Sequence, residues 1–547
     1  MLWIMQLTDE QNDVIDATRT GEHVIVEAGA GAGKTSTLVA CANALPRTQQ
    51  GLYLSFTRAI VEEAMAKFPD HVECSTAHRL ARSSIANSRD PRLQRAKECL
   101  NKGRQVSRQS ASDVAALLGI DPFAVDRDRV LRDTTVTHIV LDTLKNFRQS
   151  NHDDISIHDM PYIVGLDIPR EPNGAKKKGD EHRALWDHIS HAVQVAWADL
   201  MDPNGRLSYS PNDFLKQYQL SHPRIERDFV FFDEAQDANP VMAAILADQL
   251  SFPNPPQLIL VGDSAQAIYG WNGAIDAIAS FKTEFARRGA PYKVRQLSQS
   301  WRFGPAVADV ANVYLREISS TTLQLKGNPS LDTRLSTTGE ASDSLTIISR
   351  TNAGVIDNLI SFLEADIPTA IVGGSEWTSK QISLIRAMDE LRAYNHTNHR
   401  ELCGFGDWDT FVDYVESDGD GNDLKPTYQL FNSYGSNALI QALKEVTGNE
   451  NEASIILTTG HKSKGREWSH VAIDSDFDTI TPIELRSDEA LSLLYVVATR
   501  AQSVLEVGTI MADLGKDQAV CRHLNLTSTP LQPSPTKTFA PIPSLMS

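Results

Sequence analysis

A lysine and a threonine follow a run of small residues near the start of the chain. Residues 28–37 read AGAGAGKTST, and small side chains let backbone N–H groups close around phosphate oxygens. Lys34 can reach the β- and γ-phosphates of a nucleotide, and Thr35 can ligate Mg²⁺. The GxxxxGK[ST] pattern of a phosphate-binding loop has glycine where Ala28 stands, so the match is one residue short. The residues predicted to bind nucleotide here are Ala28, Gly29, Ala30, Gly31, Ala32, Gly33, Lys34, Thr35 and Ser36.

Two adjacent carboxylates follow an apolar run in a second segment, residues 228–237, which reads DFVFFDEAQD. Asp233 can hold Mg²⁺, while Glu234 can orient and deprotonate the attacking water, as phosphoryl transfer requires. The alternative is an ordinary buried strand followed by an acidic helix cap. That alternative explains the carboxylates but not their pairing with a phosphate-binding loop upstream.

A glutamine and two aromatic residues lie in a third segment, residues 262–274, which reads GDSAQAIYGWNGA. Gln266 stands where it could sense the γ-phosphate of a bound nucleotide. Tyr269 and Trp271 could stack on nucleic-acid bases, an interaction worth ~1–3 kcal/mol per base. The alternative interpretation is that both rings are core residues.

These reactive groups need strands to position them. Residues 23–27 read HVIVE, a β-like run that leads through the glycine-rich loop into a helical stretch ending near residue 44. The carboxylates stand at the end of a second apolar strand, and residues 257–261 form a third strand that leads to Gln266. Strand, loop and helix in this order are typical of an α/β fold with a parallel sheet.

Length and charge set further limits. A chain of 547 residues has room for three or four domains of ~150 residues. The net charge of −18 opposes nucleic-acid binding on bulk electrostatics, because contacts to phosphates require Lys and Arg. Two basic stretches stand against this total: residues 89–108, with seven Lys and Arg against two acidic residues, and Lys176–Lys178. A solvated surface explains either stretch as well as DNA contact does.

Several classes of protein are disfavoured. The longest apolar runs fall far short of the ~20 residues that a membrane helix needs, and the start lacks the pattern of a secretory signal. The five cysteines contain no CxxC pair, which argues against zinc, an iron–sulfur cluster or a disulfide framework. We therefore expect a cytoplasmic protein, associated with the nucleoid or, for a viral source, in the host cytoplasm.

With these motifs in order, the chain resembles the UvrD/Rep/PcrA helicases of superfamily 1 from about residue 7 to residue 502. The QSWRFG and STAHRLA forms of two motifs look most like the F-box DNA helicase branch, although we find no F-box segment. The segments that carry the resemblance are LTDEQ at 7–11, YLSFTRA at 53–59, STAHRLA at 75–81, DEAQD at 233–237, VGDSAQAIYGWNGA at 261–274, LSQSWRFG at 297–304, TTGHKSKGREW at 458–468 and LYVVATRA at 494–501.

The resemblance implies roles for residues that the motifs alone do not explain. Arg302 and Arg500 would reach the γ-phosphate from a second motor domain. Gln11 and Trp301 would contact the adenine, and Glu467 would meet the ribose. The positions that match strand-contacting residues of the family are Phe56, Thr57, Arg58, Thr76, His78, Tyr269, Trp271, Thr459 and His461.

Two positions depart from the family pattern. Asn272 stands where the family usually has arginine, which puts the inter-domain contact or coupling at that position in doubt. Arg58 stands where asparagine is common.

The motif spacing predicts two RecA-like α/β domains, each with parallel sheets flanked by helices and each with a mostly helical insertion. The first domain is predicted at 1–82 and 211–290, with its insertion at 83–210. The second domain is predicted at 291–374 and 452–526, with a short insertion at 375–451. Residues 527–547 contain five prolines and one charge, which indicates a disordered tail that could bind a protein partner.

The resulting expectation is an ATP- and Mg²⁺-dependent helicase or translocase that moves 3′-to-5′ on single-stranded DNA, in repair, recombination or replication. Its partners would be single-stranded DNA and junctions between single-stranded and duplex DNA. No association with a membrane is expected. One alternative is a translocase that strips bound proteins with little strand separation. Another alternative is an ATP-gated binding or scaffold protein whose motor is degenerate. The intact motif residues argue against this alternative. An RNA substrate is a further alternative, since stacking alone does not read the 2′-hydroxyl.

Overall fold

Two six-stranded sheets organise the chain in the computed structural model, and every strand pairing within each sheet is parallel. The structure describes residues 7–55, 58–101, 109–127, 129–166, 179–270, 275–337, 344–416, 424–446, 449–477 and 481–524. Within those ranges, no helix combines the length and the apolar character that a membrane crossing requires.

The first sheet has the strand order β3-β2-β6-β7-β1-β8, and the second has the order β11-β12-β10-β13-β14-β9. The strands of the first sheet are β1 (His23–Ala28), β2 (Gly51–Ser55), β3 (Val72–Thr76), β6 (Phe229–Phe232), β7 (Gln257–Gly262) and β8 (Tyr292–Leu297). Those of the second are β9 (Arg334–Ser336), β10 (Leu345–Ser349), β11 (Thr369–Ile371), β12 (Ile455–Thr459), β13 (Trp468–Ile473) and β14 (Ala501–Glu506). A short antiparallel pair is formed by β4 (Phe123–Ala124) and β5 (Val130–Leu131).

Helices follow the strands of both sheets. The first domain contains α1 (Asp9–Arg19), α2 (Lys34–Ala44), α3 (Arg58–Met65), α4 (Ala77–Asn87), α9 (Pro211–Leu220), α10 (Pro240–Gln249) and α11 (Ala277–Arg288). Its insertion contains α5 (Gln94–Asn101), α6 (Ala111–Leu118), α7 (Asp133–Gln149) and α8 (Asp180–Met201). The second domain contains α12 (Pro305–Leu315), α13 (Asn352–Glu364), α18 (Gly460–Ser463), α19 (Asp488–Ala498), α20 (Met511–Leu514) and α21 (Gln518–His523), and its insertion contains α14 (Gly374–Tyr394), α15 (Trp408–Glu416), α16 (Lys425–Tyr434) and α17 (Ser436–Lys444).

The apolar runs form strands because both faces of the first sheet are covered. Alternate residues of β1 enter different cores: Val24 and Val26 pack with α1, α2 and α3, whereas Ile25 packs with α4, α9, α10 and α11. A parallel sheet buried on both faces accounts for continuous apolar sequence such as 229–232. The predicted α/β fold with two RecA-like domains is confirmed.

One predicted boundary is wrong. The segment Tyr292–Leu297 pairs with β1 along its whole length, from His23↔Tyr292 to Ala28↔Leu297. It therefore forms the edge strand of the first sheet, and the first domain continues to Leu297 instead of ending at residue 290. Hydrogen bonds to a strand far away in the sequence fix this segment, which lacks an apolar run of its own.

The two insertions pack differently. The first has a core of its own, in which Val140 of α7 packs with Ile189 of α8. In the second, helices α14–α17 share one core with Leu457 of β12 and Ile347 of β10, so this insertion covers one face of the second sheet. The insertions also touch each other, since a Cβ atom on Gly165 would lie 2.7 Å from the backbone carbon of Gly404.

Several predicted features lie outside the described residues. These are the Lys176–Lys178 cluster, the end of the basic stretch at 102–108, and the proline-rich tail at 527–547.

Candidate nucleotide and nucleic-acid sites

The glycine-rich loop joins β1 to α2, and α2 begins at Lys34. Gly31 and Gly33 have φ values of +72° and +76°, a left-handed conformation that favours glycine. Gly29 is required for another reason, since a Cβ atom there would lie 2.2 Å from Leu325 Cδ2 in the second domain. The loop is thus shaped by local backbone geometry and by the domain that packs against it.

The Lys34 ammonium lies among carboxylates. Its Nζ is 3.3 Å from Glu234 Oε2. Burial would lower the pKa of Lys34, but the negative charges of Glu234, Asp263 and Asp233 raise it above its usual value. Lys34 therefore stays cationic, as a phosphate ligand must.

Asp233 and Thr35 meet at the end of β6. Thr35 Oγ1 donates to Asp233 Oδ2 at 3.1 Å, and the Tyr53 hydroxyl donates to the same oxygen at 2.7 Å. Burial and the neighbouring Glu234 charge raise the pKa of Asp233 to about 6. A hydroxyl and a carboxylate oxygen this close are the donor set that Mg²⁺ prefers, so Thr35 and Asp233 fit the predicted metal ligands.

Glu234 follows with a φ of +54°, which is uncommon for a residue other than glycine. Its carboxylate lies beside Lys34, and Gln236 Nε2 donates to Glu234 Oε2 at 2.8 Å. Burial acts against ionisation of Glu234, but the Lys34 charge outweighs it and lowers the pKa of Glu234. An ionised carboxylate at this point can accept a proton from water.

Gln266 lies beyond β7, the strand between β1 and β6, so the loops that follow these three strands lie at one edge of the sheet. Gln266 Nε2 donates to Asp263 Oδ2 at 2.6 Å. The three reactive segments predicted from the sequence are therefore brought together.

The second domain contributes Arg302, which lies against the loop. A Cβ atom on Gly31 would be 2.7 Å from Arg302 Cβ. Arg302 Nε lies 2.6 Å from Glu467 Oε2, and Gln502 Nε2 donates to Glu467 Oε1 at 2.8 Å. Glu467, predicted at the ribose, thus holds the arginine from the side.

Arg500 is the other predicted arginine, and its side chain is fully buried. It donates from Nε to Val496 O at 2.8 Å and from Nη2 to Thr499 Oγ1 at 3.0 Å. Burial, and next the positive charge of Arg302, lower its pKa to about 9. An anion such as a phosphate would relieve this repulsion between the two guanidinium groups.

Trp301 and Gln11 approach the loop at Gly33. A Cβ atom on Gly33 would lie 3.5 Å from Gln11 Nε2 and 3.7 Å from Trp301 Cδ1. The Trp301 residue is 40% exposed, which leaves a ring surface for a planar ligand. The Gln11 amide is buried, where its Nε2 donates to Thr37 Oγ1 at 3.0 Å and its Oε1 accepts from Thr8 N at 3.0 Å. Ser36 is exposed in the first turn of α2.

Lys464, which the motifs did not single out, reaches from the second domain to the first. Lys464 Nζ donates to Asp237 Oδ1 at 2.6 Å and also to Gln266 O, and its side chain is only 8% exposed. The ammonium also lies 4.8 Å from the centre of the Tyr269 ring. The signal was present in TTGHKSKGREW, but nothing local distinguishes Lys464 from Lys462.

A groove of about 820 Å³ runs along α3 and α4. It includes three predicted DNA contacts, Arg58, Thr76 and His78. Arg79 and Arg82, which were not predicted, add two exposed guanidinium groups. Arg79 stands three residues after Thr76 and Arg82 four residues after His78, a helical spacing that indicates a shared face. The groove is also lined by Val61, Glu62, Met65, Ser83, Ala86 and Leu100.

The remaining predicted DNA contacts lie where the domains meet. The Tyr269 hydroxyl donates to His461 O at 3.0 Å, and the two rings lie 6.5 Å apart. Thr459 is buried, and its Oγ1 accepts from Lys462 N at 3.4 Å at the start of α18. The predicted contacts Phe56, Thr57 and Trp271, together with Asn272, lie outside the described residues.

The fold and the site define a class. A phosphate-binding loop and paired carboxylates on one RecA-like domain face two arginines from a second, as in P-loop nucleoside triphosphatases that work between two domains.

Comparison with known proteins narrows this class. Residues 7–286 match the UvrD/REP helicase N-terminal domain, and the chain belongs to this helicase family. It is 28% identical over 535 residues to F-box DNA helicase protein 1 of Schizosaccharomyces pombe. This alignment covers 91% of the chain and 57% of the relative. It is 27% identical over 542 residues to F-box DNA helicase 1 of Gallus gallus, covering 92% and 49%. The chain spans about half the length of these relatives, and the predicted family resemblance is confirmed.

Proposed function

We propose that this chain is an ATP-dependent motor that moves 3′-to-5′ along single-stranded DNA and separates strands at junctions with duplex. Repair, recombination or replication of DNA would be its setting, in the compartment that holds the DNA. The observation that supports this most is the approach of Arg302 and Trp301 to the loop at Gly31 and Gly33. Because the site is built from both domains, hydrolysis depends on how the domains sit against each other.

The proposed hydrolytic step assigns a role to each of these groups. Lys34 and the loop N–H groups bind the phosphates of ATP, and Glu234 takes a proton from the water that attacks the γ-phosphorus. Arg302 and Arg500 stabilise the negative charge on the transferring phosphoryl group. Mg²⁺, held by Thr35 and Asp233, would neutralise phosphate charge when bound.

Coupling to DNA would use the contacts at the domain boundary. Lys464 joins the second domain to Asp237 of the first, and Tyr269 joins the first to His461 of the second. A change in the nucleotide site would therefore alter the contacts of the Tyr269 ring, which we propose stacks on bases.

Grip on the DNA backbone would come from the groove along α3 and α4. The net charge of −18 is unfavourable overall, but Arg58, Arg79 and Arg82 concentrate positive charge there. Attraction between phosphates and a local basic groove operates within about 10 Å at moderate salt, so the local charge decides.

The second candidate is a translocase that displaces bound proteins with little strand separation. The packing of the second insertion favours it, because α14–α17 complete the core of the second sheet and do not form a separate body that could engage duplex DNA.

Steady-state ATP hydrolysis with and without single-stranded DNA tests the motor. We expect strong stimulation by DNA, abolished by Lys34→Ala and by Glu234→Gln. The exposed pair Lys380 and Glu376, 2.8 Å apart in the second insertion, supplies matched controls: Lys380→Ala and Glu376→Gln should behave as the native chain. Hydrolysis that DNA does not change, or that both site variants retain, would contradict the proposal.

Tailed duplexes then separate the two candidates. Unwinding of a 3′-tailed but not a 5′-tailed duplex supports a 3′-to-5′ helicase. Displacement of a protein block from 3′-directed single strands, without unwinding, supports the second candidate.

The proline-rich segment 527–547 is proposed as a protein-binding tail. A chain that ends at Leu524 should keep DNA-stimulated hydrolysis, because no residue of the nucleotide site or groove is removed.

A further inference from the structure

A buried tyrosine of the second domain contacts the nucleotide site of the first. Tyr495 lies on α19, and its side chain is fully buried. Its hydroxyl accepts a hydrogen bond from Ala30 N of the glycine-rich loop at 3.0 Å. The same hydroxyl donates to Asp263 Oδ2, beyond β7, at 2.8 Å.

Asp263 connects this tyrosine to Gln266. Oxygen Oδ2 of Asp263 also accepts from Gln266 Nε2 at 2.6 Å. A buried carboxylate makes stronger hydrogen bonds than a neutral acceptor does. The orientation of the Gln266 amide and the position of the Ala30 N–H thus both depend on one hydroxyl group that belongs to the other domain.

The same helix leads to Arg500, which lies two residues beyond the end of α19 at Ala498. A movement of this helix relative to the first sheet therefore changes two things together: the place of the arginine and the hydrogen bonds of Tyr495. Helices move as rigid elements, so these changes are coupled.

We propose that Tyr495 is a positioning residue that makes the alignment of Gln266 and of the glycine-rich loop depend on closure of the second domain. The inference rests on the proposed motor function and deepens it. When the domains close, Tyr495 orients Gln266 through Asp263 as Arg500 arrives. When they separate, both are withdrawn, and hydrolysis stops while ATP can remain bound.

Tyr495→Phe tests this, since it removes one oxygen atom and keeps the ring. We expect kcat for hydrolysis with single-stranded DNA to fall about tenfold, a size usual for coupling between sites. KM for ATP should change less than kcat does, because Lys34 and the predicted adenine contacts stay in place and only the Ala30 N–H of the glycine-rich loop loses a hydrogen bond.

A matched control comes from the same hydrophobic core. Tyr314 is also fully buried, and its hydroxyl donates to Asp513 Oδ2 at 3.3 Å, away from the cleft. Tyr314→Phe should keep native kcat and KM. Equal kcat in Tyr495→Phe and Tyr314→Phe would overturn the inference, because a merely structural hydroxyl predicts that result.

A double variant gives a second readout. If Tyr495 acts through Gln266, then Tyr495→Phe added to Gln266→Ala should lower kcat no further than Gln266→Ala alone. Independent, multiplicative losses would overturn the inference. Should Tyr495→Phe fail to fold, Asp263→Asn, which keeps the shape of the carboxylate but weakens both hydrogen bonds, must show a loss of kcat of the same size.

The outcomes distinguish the inference from the proposed function. If DNA stimulates ATP hydrolysis by the native chain and Tyr495→Phe has the same kcat as the native chain, the inference is overturned and the proposed function stands. Hydrolysis that ignores DNA yet falls in Tyr495→Phe, and not in Tyr314→Phe, removes the motor function and supports the positioning role.

Discussion

In both parallel sheets a helix follows the carboxyl end of an interior strand. Different groups contact the N-termini of these two helices. In the first sheet, β1 leads through the glycine-rich loop to α2, which starts at Lys34. In the second, β10 leads through Arg350 and Thr351 to α13. The carboxylate of Asp476, just beyond β13, accepts hydrogen bonds from Arg350 N at 2.7 Å, from Thr351 N at 2.8 Å and from Thr351 Oγ1 at 3.0 Å.

The start of α13 therefore already holds an anion. A Cβ atom on Gly354 would lie 2.3 Å from Asp476 Oδ2, so the carboxylate contacts the first turn of the helix. Negative charge is favourable at a helix N-terminus, whether it comes from a ligand or from the chain. In the first domain the helix N-terminus lies at the predicted phosphate site, whereas in the second domain Asp476 occupies the corresponding position and Arg302 approaches the loop of the first domain.

The largest expected effect concerns the arginines that the second domain is predicted to contribute to the nucleotide site. Arg302→Ala should lower kcat for ATP hydrolysis by ~10³-fold, the low end of what an arginine finger contributes. ATP should still bind, because the glycine-rich loop and Lys34 are unchanged. The control is Arg316→Ala, which removes an exposed ion pair with Asp517 in the same domain. A kcat within a few-fold of native for Arg302→Ala would contradict the assignment.

Lys464→Ala should have the next largest effect, since it removes a buried ion pair that joins the two domains. The ratio of DNA-stimulated to basal hydrolysis should fall about tenfold, within the usual range for coupling between sites. Lys462, two residues earlier, donates to Val372 O inside its own domain. Lys462→Ala should therefore keep the native ratio, and an equal loss in both variants would argue against coupling through Lys464.

The Asp476 carboxylate at the N-terminus of α13 predicts a dependence of stability on pH. Burial, and next the charge of Asp474, raise the pKa of Asp476 to about 6. An acid whose pKa is higher in the folded chain than in the unfolded chain binds more protons when folded, so its contribution to stability falls as pH rises from about 4 to 6. Asp476→Asn has no such group. Urea unfolding at pH 4.5 and pH 7.5 should show that the stability of the native chain relative to the variant falls with pH, and a constant difference would refute this.

The smallest effect concerns the basic groove, which is lined by residues of the first domain and by Leu100 of its insertion. Arg82→Ala should weaken binding of single-stranded DNA a few-fold and reduce the slope of log affinity against log salt by ~0.7, the value for one phosphate contact. Arg19→Ala is the matched control, since Arg19 is exposed on α1, which packs on the face of the first sheet opposite to α4 and Arg82. Fluorescence anisotropy over a salt series measures both, and an unchanged slope for Arg82→Ala would place the DNA elsewhere.

What the sequence could predict follows from how local each signal is. Apolar runs and motif residues occur together in the strands at 23–28, 229–232 and 257–262 and in the loop between β1 and α2. The chemistry and the order of these elements could therefore be predicted from the sequence. β8 was assigned to the wrong domain because its sequence, YKVRQL, is mixed in character and its place depends on pairing with β1.

The contacts across the cleft were less accessible. Lys464 and Tyr495 lie far along the chain from their partners Asp237 and Asp263, and only the packing of two domains brings each pair together. Asp476 has the same character, since nothing near it in sequence marks it as the partner of the Thr351 backbone.

The shared core of the second insertion has a consequence for how such chains can change over evolution. Ile347 and Leu457 are covered by α14–α17, so removing residues 375–451 would expose an apolar sheet face to water. The first insertion packs mainly around its own core and is closer to an interchangeable module. Recombination between relatives is therefore expected to exchange or resize the first insertion, whereas the second must be inherited together with the strands that it covers.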